Sequence, residues 1–293
     1  MSFYAIIYND YLYHTFGGEI VMKCVLGIDI GGSTTKIIGY RNGEIFSPLL
    51  VKASDPNASL YGAFGKFLNE NGLGLSDIES VMITGVGADD GKKEIFGIKT
   101  RRIEEFQAVG RGGLFLSGLS SAVVVSMGTG TAFVSATEKK SRHLGGTGVG
   151  GGTLLGLSSR MFNVRHFNDI IEMAKTGDLN NIDLHIRDIS REEIENLEGA
   201  ITASNFGRIS DLATSSDLAL GVVNMVFQVI GVMAVFTAKN EKTENIVLTG
   251  NLTNVPQAKE IFEGVAMLHG VNFIIPEHSE FATATGAALM YES

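Results

Sequence analysis

Glycine is concentrated in a few tight clusters, and their placement constrains the fold more than any other feature of the sequence. The chain has 37 glycines among 293 residues, well above the usual share of about 7%. Glycine in a loop lets backbone N–H groups approach a ligand closely, because no Cβ stands in the way. The clusters therefore predict several anion-binding loops, at Gly31-Gly32, Gly128-Thr129-Gly130, Gly145-Gly146, Gly148 and Gly150-Gly151-Gly152.

Two of these clusters stand in a repeated pattern of strand, glycine turn, strand and hairpin. The pattern covers residues 25–47 and returns at residues 122–144. Two copies are too few for a solenoid. They indicate an α/β protein of two related lobes that face each other across a cleft. We expect an N-terminal lobe at residues 22–117 and a C-terminal lobe at residues 118–293.

The spacing of apolar residues predicts the main helices. A helix over residues 57–71 stops at Gly72, and a second covers residues 104–116. A long helix is predicted over residues 217–239, and a short one over residues 87–96.

Composition narrows the class of protein. The net charge of −9 argues against nucleic-acid binding, which needs a basic face. Hydrophobic residues make up 44% of the chain, which is typical of a folded protein. The one cysteine, Cys24, excludes an intramolecular disulfide, and also a cysteine-rich zinc site or an iron–sulfur cluster held by this chain alone. We expect a cytoplasmic protein.

Two segments could be mistaken for targeting or membrane elements. Residues 1–21 lack the basic start and continuous apolar run of a secretory signal. Because the regular pattern begins at Met22, we interpret residues 1–21 as an extension that is disordered or not native. Residues 218–238 form an uncharged stretch that is long enough for a membrane span. Asn224 and Gln228, four positions apart, favour a buried helix of a soluble domain instead.

The first chemical motif joins a carboxylate to a glycine turn. Residues 27–36 read Gly-Ile-Asp-Ile-Gly-Gly-Ser-Thr-Thr-Lys, so Asp29 ends a strand and the turn follows at once. A carboxylate in this place can hold a hydrated Mg²⁺ while the turn amides face phosphate. An ordinary hairpin with an Asp in its turn is the alternative. The same device recurs at residues 126–131 (Ser-Met-Gly-Thr-Gly-Thr), which makes coincidence less attractive.

A third glycine cluster, at residues 145–152, opens a predicted helix. A helix N-terminus behind glycine-rich backbone favours a phosphate or a nucleotide. The cluster is neither a P-loop nor a dinucleotide fingerprint, since no Gly-Lys-Ser/Thr follows and no acidic residue stands at the required distance. A flexible linker is the alternative. Residues 249–251 (Thr-Gly-Asn) could support adenine or ribose, although a plain turn explains them equally well.

Charged candidates stand at two further places. Glu104 and Glu105 open a predicted helix, where a carboxylate usually serves the helix dipole. Facing a cleft, one of them could act as a general base. Arg142 and His143 precede the third cluster, where a cation could stabilise transferring charge. Because strand residues alternate between faces, these two cannot both point into the cleft.

Together these residues resemble a known family. The motifs at residues 29–32 and 128–130 and the triple-glycine helix start are similar to the acetate and sugar kinase/Hsc70/actin superfamily. A more specific resemblance, to type II pantothenate kinases, covers the chain from Met22 to Glu292. The motifs that carry it are Glu-Glu-Phe-Gln-Ala (104–108), the glycine-rich run 145–157, Thr-Ala-Ser-Asn-Phe-Gly (202–207) and Thr-Glu-Asn-Ile-Val (243–247).

The resemblance implies two ribonuclease-H-like lobes of mixed sheet flanked by helices, with ATP and Mg²⁺ in the cleft between them. The implied activity is phosphorylation of pantothenate, the first step of coenzyme A biosynthesis, in a homodimer with no membrane partner. Glu105 is then the catalytic base, because Phe106 and Ala108 fix the register, and Asp29 holds Mg²⁺ through water. The residues implied at ATP are Asp29, Ile30, Gly31, Gly32, Ser33, Thr34, Thr35, Lys36, Thr129, Gly151, Gly152, Thr153, Leu154, Leu155, Phe167, Gly250 and Asn251.

One departure from the family leaves the acceptor contact open. The family often has Arg where this chain has His143, and here the arginine is Arg142, one residue earlier. Either residue could contact the acceptor. The alternatives are another hydroxyl kinase, such as an N-acetylglucosamine kinase, and an ATP-hydrolysing activator of radical dehydratases. A single Cys24 inside a strand argues against the activator, and intact Asp29 and Glu105 argue against a non-catalytic nucleotide-binding regulator.

Overall fold

The computed structural model describes residues 23–292 apart from 33, 53–54, 89–92 and 191–200, together with residues 15–16 and 19–20. Ser33 and most of the segment 1–21 lie outside the described residues, and so does Met22. The strands are β1 Thr15–Phe16, β2 Glu19–Ile20, β3 Cys24–Ile30, β4 Thr34–Arg41, β5 Glu44–Lys52, β6 Ile78–Thr84, β7 Glu94–Ile95, β8 Ile98–Arg102, β9 Ser121–Met127, β10 Thr131–Thr137, β11 Ser141–Thr147, β12 Leu184–His185, β13 Thr202–Ser204, β14 Asn245–Thr249 and β15 Asn272–Ile274.

The helices are α1 Pro56–Asn71, α2 Glu105–Ser117, α3 Gly151–Met161, α4 Phe167–Ala174, α5 Ile186–Ile189, α6 Ser215–Asn240, α7 Pro256–His269 and α8 Ala282–Leu289. Short 3-10 turns precede or follow several of them, at Leu75–Asp77, Leu179–Asn181, Asn251–Asn254, Ser279–Phe281 and Met290–Glu292.

The first sheet has six strands in the order β5-β4-β3-β6-β8-β7. Strands β3, β4 and β5 form an antiparallel meander, and β6 runs parallel to β3. Alternating side chains of β3 separate two cores, because successive residues of a strand point to opposite faces. Leu26 and Ile28 pack with Phe64 of α1, while Val25 packs with α8.

The second sheet repeats the same meander with β9, β10 and β11, and its order is β11-β10-β9-β14-β15. Strand β14 runs parallel to β9. Helix α6 covers one face through residues such as Phe227, and α2 covers the other through Val109. Two mixed sheets flanked by helices confirm the predicted fold class and the internal repeat.

Helix α6 is the apolar segment that could be mistaken for a membrane span. By length and composition alone it could cross a membrane, but most of it is buried inside the protein. Val222, Phe227 and Ile230 are fully buried in the second core. Thr214 and Asp217 cap its first turn through reciprocal hydrogen bonds. Its hydrophobicity is explained by burial in the protein.

Helices α2 and α8 lie between the two sheets, and their backbones are in direct contact. A methyl group added to Gly112 of α2 would collide with the carbonyl of Ala282, and one on Gly286 of α8 would collide with the carbonyl of Ala108. Gly27 of β3 allows the same close approach to Ala284. Helix α8, late in the chain, therefore packs directly on the first sheet.

The helix predicted over residues 87–96 is wrong for the described part of that segment. Glu94 and Ile95 form β7, which pairs with β8 through a turn at Phe96 and Gly97. Both turn residues have positive φ, at 51° and 76°. Ile95 is buried through this pairing, so its apolar character comes from a sheet edge rather than from a helical face.

Candidate active site

Three polar side chains lie in a row across the first sheet, where β3 and β6 end. Asp29 on β3 pairs in register with Lys36 on β4 and with Thr84 on β6. Register partners on adjacent strands point to the same face of a sheet. This is the face covered by α8, since Val25 and Met82, which share its side, pack against that helix. The motif at residues 27–36 thus presents a carboxylate and an ammonium group together at the inner end of the first sheet.

The charges in this row shift one another's pKa values. Burial raises the pKa of Asp29, and the Lys36 ammonium opposes that rise. Burial lowers the pKa of Lys36, which is 6% exposed, while the carboxylates of Asp29 and Glu280 raise it. The charge of Lys36 is therefore stabilised by two acidic groups from different parts of the chain. Sequence analysis missed Glu280, because nothing near it in the chain indicates a site.

A glycine that the sequence motifs did not indicate lies against this row of side chains. Gly85 follows β6 with φ +94°, and a methyl group added to it would stand 2.6 Å from Oδ1 of Asp29. Gly87 donates its N–H to the carbonyl of Ile30 at 2.9 Å, which holds this turn against the end of β3. The hydroxyl of Thr84 is buried and has no hydrogen-bond partner among the described residues. The strand-then-glycine pattern of residues 81–87 was the signal that could have found it.

The adjacent acids Glu104 and Glu105 have different roles. Glu104 caps α2, because its carboxylate accepts hydrogen bonds from the N–H groups of Phe106 at 3.1 Å and Gln107 at 2.8 Å. Glu105 is half-buried, and within the described part of the chain its carboxylate has no hydrogen bond or ion pair. Burial raises the pKa of Glu105, and the negative charges of Asp29 and Glu104 raise it further. Glu105 is thus close enough to Asp29 for their charges to interact.

Arg142 and His143 point to opposite faces of β11, as strand alternation requires. Arg142 pairs with Glu241 at the end of α6, with Nη2 2.9 Å from a carboxylate oxygen. His143 lies on the other face, where its ring stacks on Phe106 with centroids 3.9 Å apart and planes 9° apart. Phe106 is the residue after Glu105, so His143 is the member of the pair beside the candidate base.

Two glycine motifs of the second lobe pack against each other. The N–H groups of Gly151 and Gly152, at the start of α3, donate to the carbonyls of Gly128 and Thr129, both at 2.9 Å. Gly150 fits only without a Cβ, which would stand 2.7 Å from the Thr129 carbonyl. Thr153 donates its hydroxyl to the carbonyl of Gly148 at 2.9 Å. The two loops therefore form one rigid unit, and the exposed Thr129 stands at its surface.

The turn at Gly250 and Asn251 packs against this unit. A Cβ on Gly250 would lie 2.5 Å from the carbonyl of Met127, the residue before the glycine turn. The Gly250 N–H donates to the carbonyl of Ser279 at 3.1 Å. The negative charge of the next residue, Glu280, raises the pKa of Lys36. Oδ1 of Asn251 is buried without a hydrogen-bond partner among the described residues.

Several predicted ATP residues turn their side chains away from any ligand. Ile30 and Leu154 belong to the two cores, and Thr35 accepts a hydrogen bond from Ser59 at 2.7 Å inside the first lobe. Leu155 and Phe167 pack on the second core. These five could meet a nucleotide chiefly through backbone atoms. The remaining predicted residues, Gly31, Gly32 and Thr34, form the turn after β3, where Gly31 donates to the Thr34 carbonyl at 2.9 Å.

The donor set is suited to a nucleotide with Mg²⁺. The buried ammonium of Lys36 suits phosphates, whereas the N–H groups of Gly31, Gly151 and Gly152 are already bonded within the protein. The orphaned oxygens of Thr84 and Asn251 each lack a partner that a ligand or water could supply. The described residues hold no cluster of three or more His, Cys, Asp or Glu side chains. A single carboxylate, Asp29, suits Mg²⁺, which keeps most of its waters and binds through one or two carboxylates and substrate phosphates.

The two sheets share one meander topology, are flanked by helices and carry glycine turns at strand ends, which defines a mixed α/β fold of two related sheets. Solved structures with this fold include the activator of the 2-hydroxyisocaproyl-CoA dehydratase from Clostridium difficile with bound ADPNP (TM-score 0.64, 17% identity, 91% of this chain and 93% of that chain). The ROK hexokinase from Thermus thermophilus is another (TM-score 0.55, 15% identity, 91% and 97%). At these identities the likeness concerns the fold alone.

Sequence comparison specifies the family. Residues 121–289 match the Fumble family model. A relative named type II pantothenate kinase, from Staphylococcus aureus, is 31% identical over an alignment of 274 positions that covers 89% of this chain and 97% of the relative. The chain belongs to the Fumble family and groups with the type II pantothenate kinases, which confirms the resemblance carried by its motifs.

Proposed function

We propose that this protein is an ATP-dependent kinase that phosphorylates pantothenate to 4'-phosphopantothenate, the first step of coenzyme A biosynthesis. The relatives named type II pantothenate kinase support this substrate. The observation that carries the chemistry is Glu105, a half-buried carboxylate that makes no hydrogen bond or ion pair among the described residues and whose pKa the charge of Asp29 helps to raise. Its raised pKa suits a group that must take a proton near neutral pH.

In the proposed reaction, the Glu105 carboxylate accepts the hydroxyl proton of pantothenate as that oxygen attacks the γ-phosphorus of ATP in line. A new P–O bond forms to the acceptor, the bond between the γ-phosphorus and the bridging oxygen breaks, and ADP leaves. Positioning and charge neutralisation dominate such a transfer. Lys36 supplies a fixed positive charge. The nearby His143 is the candidate acceptor contact, since Arg142 is engaged by Glu241.

The nucleotide site in this proposal comprises the motif at residues 29–36, Thr129, residues 151–155, Phe167 and the turn at Gly250 and Asn251. Asp29 would hold Mg²⁺ through water, and the metal would neutralise charge on the phosphates. The two lobes, residues 22–117 and 118–293, would close on ATP. The charge of Glu280, from the second half of the chain, acts on Lys36 of the first half, which supports a site between the two lobes.

An activator of radical dehydratases is the alternative suggested by fold likeness. Such a role needs cysteine thiolates at a cluster, because the thiolate is the metal ligand. Cys24 is 1% exposed inside β3, and burial raises the pKa of its thiol to about 11. The only cysteine of the chain is therefore unsuited to a cluster, which favours the kinase.

The test is ADP release by the purified protein with ATP, Mg²⁺ and a panel of acceptors. We expect release with pantothenate to exceed release with glucose or N-acetylglucosamine by at least tenfold, and ³¹P NMR to show a phosphomonoester of pantothenate. Preferential phosphorylation of a sugar would contradict pantothenate as the substrate and assign the sugar instead. ADP release that is equal with and without an acceptor would contradict the kinase assignment.

We also propose that the protein is a cytoplasmic homodimer. Helices α6 and α7 flank a groove of about 550 Å³ whose lining includes Val232 and Leu268. One turn beyond Val232, Phe236 is 63% exposed, and Met267 is 78% exposed. Light scattering should give twice 31.3 kDa for the wild type. Phe236→Glu should give a monomer, whereas Leu212→Glu, at a still more exposed position elsewhere, should not. A monomeric wild type would refute the proposal.

A further inference from the structure

The side chain of Gln107 on α2 is bonded to both backbone groups of one residue on β11. Its Nε2 donates to the carbonyl of Ser141 at 2.8 Å, and its Oε1 accepts the Ser141 N–H at 3.2 Å. Strand β11 is the outermost strand of the second sheet. A side-chain amide that pairs with a backbone amide in this way fixes both the distance and the register of the two elements.

The same two elements meet a second time at the neighbouring residue. Phe106 of α2 stacks on His143 of β11, with ring centroids 3.9 Å apart. Ser141 and His143 are two residues apart on the strand and so share a face. Helix α2 thus carries three consecutive residues with separate tasks: the charge of Glu105 interacts with that of Asp29, Phe106 stacks on His143 and Gln107 bonds to Ser141.

Glu105 itself has no hydrogen bond or ion pair within the described residues, so its carboxylate is positioned only by the helix that bears it. The helix start is attached to β11 at the two points above. The distance between Glu105 and the end of β11 that carries His143 therefore depends on the Gln107 contact.

We propose that Gln107 is a positioning residue that sets the spacing between the Glu105 carboxylate and the acceptor-facing end of β11. The inference rests on the proposed function, because it assigns a purpose to that spacing. Misplacing a reacting group by about 1 Å can cost roughly 100-fold in rate. Gln107 touches neither nucleotide nor acceptor in this scheme, so its loss should affect the acceptor step and spare nucleotide binding.

The chain offers a matched control on the same helix. Arg111, one turn further along α2, donates from Nη1 to the carbonyl of Glu138 in the β10–β11 hairpin at 3.2 Å. It ties the same helix to the same hairpin, but farther from Glu105. A purely structural role for these ties predicts similar effects of Gln107→Met and Arg111→Met on thermal stability and on kinetics.

The experiment compares kcat/KM for the acceptor and KM for ATP in the wild type, Gln107→Met and Arg111→Met. We expect Gln107→Met to lower kcat/KM for the acceptor by roughly 10- to 100-fold, with KM for ATP changed less than twofold, and Arg111→Met to match the wild type. Equal losses in both variants, no loss in Gln107→Met, or a proportional rise in KM for ATP would overturn the inference.

Two provisions keep this test decisive. If Gln107→Met fails to fold, Gln107→Glu retains the length and the acceptor for the Ser141 N–H. It should still lose several-fold in kcat/KM for the acceptor, and an unchanged value would overturn the inference. The comparison is a ratio to wild type, so it uses whichever acceptor of the panel the wild type phosphorylates. A wild type that prefers a sugar refutes the proposed substrate while the ratio still decides the role of Gln107.

Discussion

Lys36 and Asp29 are register partners on the antiparallel strands β4 and β3, at the inner end of the first sheet. Removing both charges from water is costly, because the attraction between two charges does not fully repay their desolvation. Opposite charges kept together at one end of a sheet are better explained by a ligand whose charge they meet. Glu280, from the second half of the chain, adds a third charge that acts on Lys36.

We predict that Glu280→Gln makes nucleotide binding more sensitive to alkaline pH. Burial lowers the pKa of Lys36, and the Asp29 and Glu280 carboxylates raise it. Without Glu280 the pKa of Lys36 falls further, so the ammonium is lost at a lower pH and the phosphates lose a partner. Calorimetric titration with ADP should give near-wild-type affinity at acidic pH and weaker affinity than wild type at alkaline pH.

The control for this variant is Glu277→Gln, whose side chain is 89% exposed. It should follow the wild type at every pH. Affinity curves of Glu280→Gln that run parallel to those of the wild type would separate Glu280 from Lys36.

The second prediction concerns the two adjacent acids. Glu105→Gln should lower kcat by roughly 100-fold or more, because a general base contributes about that much, while the affinity for ADP changes little. Glu104→Gln should keep most of the activity and lose about 1 kcal/mol of stability as a weakened helix cap. Steady-state kinetics and thermal melts of both variants check this. Undiminished turnover in Glu105→Gln would remove it from the mechanism.

The pH profile gives an independent test of Glu105. Burial and the charges of Asp29 and Glu104 raise the pKa of Glu105, whereas Arg102 lowers it. The base must be ionised, so kcat/KM for the acceptor should fall on acidification at a pH above the ordinary glutamate range. Arg102→Gln should shift this acid limb to higher pH, and Glu104→Gln should shift it to lower pH. Shifts of both variants in the same direction would exclude Glu105 as the titrating group.

The helix crossing gives a prediction of stability. Gly112→Ala places a methyl group against the Ala282 carbonyl, so α2 and α8 must separate. We expect a loss of roughly 1–3 kcal/mol, as for other overpacked sites. Gly65→Ala in α1 has no atom within 4 Å of the added carbon. It should gain roughly 0.5–1 kcal/mol. Relative to the wild type, the midpoint of urea unfolding should fall for Gly112→Ala and rise for Gly65→Ala.

Sequence reasoning succeeded where the signal is local. The strand before Asp29, the helix that ends at Gly72 with φ +61° and the repeated meander all depend on neighbouring residues and were predicted. The Glu104–Glu105 motif was found in the sequence, but only the structure shows that Glu104 is the helix cap and Glu105 is not. The sequence could not tell them apart, because either carboxylate could have accepted the hydrogen bonds at the helix start.

The missed features depend on contacts between distant parts of the chain. Glu280 acts on Lys36, Gln107 pairs with Ser141, and Gly112 meets Ala282. Residue type alone does not indicate such partners. The short helix predicted over residues 87–96 failed for a related reason, since Ile95 is buried by pairing with Ile98 in a hairpin. The spacing of apolar residues in this segment is compatible with a helix, but pairing within the sheet determines the structure.

The position of α8 bears on how the protein is made. This helix packs on β3, β4 and β6, which are synthesised long before it. A nascent first lobe therefore emerges from the ribosome with one apolar face bare, and that face stays bare until residues 282–289 have been translated. We expect chains that stall inside the second lobe to be efficient substrates for chaperones and proteases. The exposed apolar face of the first sheet would mark every incomplete chain for these systems.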